Sequence, residues 1–185
     1  MKNKKGFMRL PFLFMEAFIF FAISCDKDDD NNGDRANTFK DSRDGKVYKT
    51  VKIGEQVWMA ENLAYAPASG NYWAYDNDDA NVEIYGYLYD WQTAKNVCPA
   101  GWHLPSDEEW TKLTDYLGGN AGGKLKATGT IGSGTGLWYA PNTGATNETG
   151  FTALPGGYRY GDGAFDYVGY HGYWWSATGL NTYGA

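Results

Sequence analysis

The stretch Cys98-Pro-Ala-Gly-Trp-His-Leu-Pro-Ser-Asp-Glu-Glu-Trp110 specifies more local structure than any other part of this 185-residue chain. Ser106 followed three residues later by Glu109 is a capping box: the serine side chain satisfies an orphan N–H of the first turn, and the glutamate reaches back to the N-cap. Trp110, Leu113 and Leu117 then recur at i, i+3 and i+7, which turns one apolar stripe toward a core. Gly118-Gly119 ends the helix, as glycine does at C′. Capping accounts for Ser106 in full, so it is not read as a nucleophile.

Upstream of this helix, Val47-Tyr48-Lys49-Thr50-Val51-Lys52-Ile53 alternates with period two, as a half-buried strand does. Gly54-Glu55 is a two-residue turn, and Gln56-Val57-Trp58-Met59 is the returning strand. Residues 66–83 are polar and irregular, centred on Asp76-Asn77-Asp78-Asp79, and read as an exposed loop. Asp90 can cap a short helix over residues 91–96. Downstream, residues 120–150 are rich in Gly, Thr and Asn. Phe151–Pro155, Gly157–Tyr160 and Gly172–Thr178 then read as short strands joined by glycine turns. The Gly-rich stretches lack a strand–GxxxxGK–helix context, so phosphate cradling is not supported.

The N-terminus has a different character. Lys2, Lys4, Lys5 and Arg9 precede an apolar run from Pro11 to Ile23, and Ser24-Cys25 is followed at once by Asp26-Lys27-Asp28-Asp29-Asp30. This is the layout of a secretory leader, and the run is too short for a membrane span, which needs ~20 apolar residues. It resembles a lipoprotein signal, with cleavage after residue 24 and lipid on Cys25. Two details depart from the ideal: Glu16 interrupts the apolar run, and Ala22 stands where lipoprotein signals prefer leucine. The alternative is a plain secretory leader with an incidental cysteine. Multiple acyl chains give stable anchoring. The acidic run after Cys25 is similar to the surface-export signal of lipoproteins in Bacteroidota-type bacteria; low hydrophobicity and high charge also make residues 26–37 a disordered tether. The expectation is an outer-membrane lipoprotein, exposed at the cell surface.

Residues 1–24 hold four basic residues and one acid, so the chain beyond them has 12 basic and 21 acidic residues, a net of −9. Such a charge repels a phosphate backbone and excludes nucleic acid as the expected partner. Six of the nine Phe lie in the leader, whereas all eight Trp and all fifteen Tyr lie after it. Tyr and Trp carry a polar handle on a large apolar body, which suits half-buried positions and contact surfaces. Either they replace aliphatic residues in the core, or they form a sugar-stacking or protein-contact surface. Tyr158, Tyr160, Tyr170, Tyr173 and Trp174 are the candidate ligand-binding residues on the second reading.

Catalytic and metal signals are thin. His103 and His171 sit in turns, and with no HExxH or paired cysteines they form no zinc set. No cofactor is implied. Calcium is the one metal left open, at residues 76–79 or at Asp162 and Asp166, although the spacing matches no EF-hand loop and Asp-Gly is equally a turn signature. With Cys25 committed to lipid, Cys98 is a lone thiol in an oxidising compartment, with nothing basic nearer in sequence than His103 to lower its pKa.

Four segments stand in order that resemble one family: Thr38–Leu63 (TFKDSRDGKVYKTVKIGEQVWMAENL), Cys98–Trp110, Gly150–Gly163 (GFTALPGGYRYGDG) and Tyr173–Thr178 (YWWSAT). Together they are similar to the Fibrobacter succinogenes major paralogous domain of surface and secreted bacterial proteins, over essentially all of residues 38–185. The WHLPSDEEW segment is also similar to formylglycine-generating enzymes. The resemblance implies an α+β fold, a C-type lectin-like or formylglycine-generating-enzyme-like variant with short antiparallel strands, two helices and long Gly-rich loops. It brings no established catalytic residues, and the reactive cysteine pair that formylglycine generation needs late in the fold is not matched by any cysteine after Cys98. It further implies a final cysteine-bearing strand beyond the YWWSAT segment, so the domain is expected to be C-terminally truncated and Cys98 to have lost its partner. The expected function is a non-enzymatic, surface-anchored binding or adhesion module for a glycan or protein. The alternatives are an inactive relative or remnant of formylglycine-generating enzymes, or a structural envelope component.

Overall fold

The computed structural model describes residues 23–24 and 37–179. The body of the leader, Cys25, the acidic tether up to residue 36 and residues 180–185 lie outside the described residues. Strands β1 (Ile23–Ser24), β2 (Thr38–Lys40), β3 (Val47–Ile53) and β4 (Gln56–Met59) form an antiparallel sheet in the order β1-β4-β3-β2. Ile23 and Ser24, the last two residues of the proposed leader, pair with Trp58 and Val57. The β3–β4 hairpin turns at Gly54-Glu55 as expected, with Ile53 opposite Gln56. Tyr48 and Ile53 are both buried although they differ in parity. Alternation therefore shifts along β3, between the part paired with β2 and the part paired with β4.

The segment expected to be a loop over 66–83 is instead structured. It contains β5 (Tyr72–Trp73), a 3₁₀ turn (Tyr75–Asn77) and α1 (Ala80–Tyr85), and β5 pairs with β6 (Leu88–Tyr89). Its aromatic residues override its polar composition. Tyr75 is buried against Leu88, and its ring lies 5.3 Å from that of Phe165. Helix α2 (Trp91–Ala94) starts at Asp90, whose carboxylate accepts from Thr93 N at 2.7 Å. Helix α3 (Asp107–Leu117) carries the full capping box at Ser106 and Glu109 and buries Leu113, with Trp110 and Leu117 packed on the core. A further helix, α4 (Ala121–Leu125), and the hairpin of β7 (Gly156–Arg159) and β8 (Phe165–Val168) complete the described elements. Among the described residues four α-helices thus stand where two were expected, and the architecture is mixed α and β with short antiparallel strands. No helix among the described residues is long and apolar enough to cross a membrane.

The core is largely aromatic. Trp58, Tyr48, Tyr89, Tyr158 and Phe151 are the largest fully buried side chains, and Trp58 packs on Trp110 at 4.6 Å and on Phe151 at 5.8 Å. Residues 173–178 form no strand. Indole N–H groups hold this segment where a backbone ladder was expected: Trp91 donates to Ser176 O, Trp110 to Trp175 O, and Trp175 to Tyr89 O. Asp107 N donates to Thr178 Oγ1, which ties the segment to the start of α3.

Candidate functional site

The His, Cys and Asp side chains considered in the sequence take part in local hydrogen bonds and packing. His103 Nε2 lies 2.9 Å from Glu109 Oε1, and Glu109 Oε2 accepts from both the N and Oγ of Ser106. Burial pushes the Glu109 carboxyl up, but these hydrogen bonds outweigh it and hold its pKa below the usual carboxylate value. Cys98 packs against the core, and burial pushes its thiol up to about 12, so it is not a thiolate at neutral pH. Asp166, within β8, accepts from Tyr167 N through Oδ1, and Asp162 Oδ1 accepts from Ala164 N in the β7–β8 turn. Asp78 does the same for Ala80 N. Among the described residues no group of three or more His, Cys, Asp or Glu side chains is arranged to hold a metal ion.

The exposed apolar surface is concentrated in one place. Among the described residues, five of the eight large exposed hydrophobics are Ile131, Tyr139, Tyr167, Tyr170 and Tyr173. Tyr139 and Tyr170 stack at 4.4 Å with an interplanar angle of 26°, and they remain 44% and 59% exposed. Tyr139 N donates to Gly169 O, and a Cβ at position 169 would lie 2.6 Å from the Tyr139 ring. His171 continues the surface, with its ring 4.9 Å from Tyr167 and 5.8 Å from Tyr173.

Beside these rings opens a cavity of about 340 Å³. Trp110, Leu125, Trp138, Phe151 and Trp174 wall it, Lys126 lines it, and Tyr170, His171 and Gly172 stand at its exposed side. Two features fix the walls. Trp138 Nε1 donates to Ala153 O at 3.1 Å. Gly172 lets the Trp174 ring lie against the chain, since a Cβ there would meet the ring and Leu154 O at 2.5 Å. Lys126 Nζ lies 4.2 Å from the centre of the Trp138 ring.

The five residues singled out in the sequence divide between cavity and support. Tyr170 and Trp174 line the cavity. Tyr173 is 37% exposed in the neighbouring ring cluster, and Tyr160 is half-buried. Tyr158 is fully buried, so it supports this surface from below and presents no face to a ligand. Its ring stacks under Tyr167 at 5.4 Å, and its hydroxyl donates to Tyr160. Burial and that hydrogen bond push the Tyr158 hydroxyl well above the tyrosine range, which leaves it neutral. Sequence reasoning missed Lys126 and Trp138. The available signal was a single tryptophan in a Gly/Thr/Asn-rich stretch, and a lysine between Leu125 and Ala127 just after a short helix.

No curated protein and no solved structure matches the chain. The family model described as the Fibrobacter succinogenes major domain matches residues 51–184, a span that begins within β3 and takes in every later described element and all the residues lining the cavity. By that match the chain belongs to the Fibrobacter succinogenes major domain family.

Proposed function

We propose that this domain is a non-catalytic binding module that takes a saccharide in the cavity beside Tyr139 and Tyr170. The observation that carries the reading is the gathering of exposed rings around one aromatic-walled cavity. Sugar rings present C–H faces that pack on aromatic planes, while their hydroxyls remain solvated at the opening. A cavity of about 340 Å³ lies at the small end of ligand sites, roughly 300–1,000 Å³, and suits one or two sugar rings. A protein partner would be expected to use a larger, flatter patch. The engagement of Ser106, His103 and Cys98 in capping and packing supports the non-enzymatic reading.

The layout of the leader and Cys25 supports a lipid anchor at the outer membrane, and the acidic run after Cys25 supports export to the cell surface. The WHLPSDEEW motif and the mixed, short-stranded architecture support a C-type lectin-like variant as the fold. Glycan arrays probed with the full chain in mild detergent, with pull-downs from envelope extracts alongside, test the binding role. Saccharide ligands that compete for one site are expected, and blanks in both assays would sink the reading. Metabolic labelling with an alkynyl fatty acid tests the anchor. Label is expected on the native chain and absent from Cys25→Ser; equal label on both overturns it.

A further inference from the structure

Two lysines close in sequence have opposite surroundings. Lys124 Nζ lies 3.3 Å from Glu148 Oε1 and donates to Leu117 O at 2.9 Å. Lys126 is half-buried at the cavity and has no carboxylate partner among the described residues. Its position is fixed by its backbone: Lys126 N donates to Gly122 O, and the residue bridges Ala153. Its ammonium is held over an indole that is itself anchored to Ala153 O. Burial keeps the Lys126 pKa below the usual lysine value, as expected where water solvates the charge poorly.

An ammonium in these surroundings is poised for an anion. No carboxylate lines the cavity among the described residues, so nothing local repels one. The chain as a whole is acidic, with a formal charge of −6, so this cation does not belong to a generally basic surface. A single lysine, with no arginine fork beside it, matches one negative charge better than a phosphate dianion. The walls are tryptophan and phenylalanine, which match a ring face.

We propose that the cavity is a site for a carboxylated sugar, with the carboxylate paired to Lys126 Nζ and the sugar ring packed on the indole of Trp174. This rests on the saccharide reading above and adds the charge of the ligand.

The test is titration calorimetry of the full chain in mild detergent with galacturonic, glucuronic and sialic acid saccharides, each beside its methyl ester. The ester keeps the ring and removes the charge. At least one acid is expected to bind ~10-fold or more tightly than its ester, and added salt should weaken the acid alone. Lys126→Gln should abolish the preference of acid over ester, while Lys126→Arg should keep it. Equal binding of acid and ester, or a preference that survives Lys126→Gln, overturns the role of Lys126 and leaves the saccharide reading standing. If Lys126→Gln does not fold, Lys126→Arg and the salt dependence decide the matter. Binding of none of the acids overturns the proposal; a blank glycan array in addition removes the saccharide reading with it.

Discussion

Arg43 and Asp41 form the most deeply placed ion pair among the described residues, and replacing each in turn should give unequal losses. Asp41 is 0% exposed and Arg43 26%. Arg43 Nε donates to Asp41 Oδ1 at 2.9 Å, Nη2 to Oδ2 at 2.6 Å, and Nη1 to Val97 O at 2.6 Å. The guanidinium also lies 3.8 Å from the centre of the Tyr65 ring. Asp41→Asn leaves the arginine with Val97 O, the Tyr65 face and partial solvent, so the loss should resemble that of a charged hydrogen bond, ~1.5–3 kcal/mol. Arg43→Met strands a fully buried carboxylate with only a backbone donor, Arg43 N at 3.0 Å, in the wild-type arrangement. Breaking a buried pair that way costs ~3–5 kcal/mol.

Urea unfolding followed by tryptophan fluorescence reads both values. The pH dependence adds an internal check. Burial raises the Asp41 pKa, but the hydrogen bonds and charge of Arg43 outweigh it and hold it below the ordinary 3.8. A depressed carboxylate contributes its stability fully above its unfolded pKa and loses it as pH falls through the folded one. The gap between wild type and Asp41→Asn should therefore be flat above ~pH 5 and narrow below ~pH 4. A larger loss for Asp41→Asn than for Arg43→Met, or a gap that widens in acid, would refute this account of the pair.

Three other outcomes follow from the same structure. Iodoacetamide at pH 8 should label Cys98 more than ~100-fold more slowly in the native chain than in urea, because burial suppresses the thiolate; comparable rates would mean the thiol is open to solvent. Ser106→Ala should cost ~1 kcal/mol in urea unfolding, since it breaks the capping box and removes one hydrogen-bond partner of Glu109; no change would mean the cap contributes nothing. Gly172→Ala should displace Trp174 and lower stability by ~1–3 kcal/mol, with loss of saccharide binding by calorimetry; unchanged binding would place the ligand away from Trp174.

What the sequence disclosed was local. The capping box at Ser106, the Asp90 cap and the β3–β4 hairpin each depend on residues within a few positions of one another, and each is present. Tyr72-Trp73 is a strand only because Leu88-Tyr89 lies beside it, and α1 follows from the burial of Tyr75 and Val82 in an otherwise polar stretch. Residues 173–178 were expected as a strand from their aromatic content, but those aromatics pack on the core; indole donors reach the segment from α2 and α3, and its own Trp175 donates outward to Tyr89 O. The cavity was half legible. Tyr170 and Trp174 stand out by composition, whereas Lys126 and Trp138 are twelve residues apart in sequence and meet through the Ala153 backbone. No local pattern encodes that meeting.

The central claim is that ligand enters the cavity walled by Trp110, Trp138 and Trp174. The most direct test is an amide-and-indole correlation spectrum of chain labelled with ¹⁵N-tryptophan, titrated with the tightest-binding uronide. The account predicts shifts at the indole signals of Trp138 and Trp174, with Trp73 and Trp102 unmoved as internal controls. Saturable binding that shifts Trp73 or Trp102 and leaves the cavity tryptophans in place would contradict it.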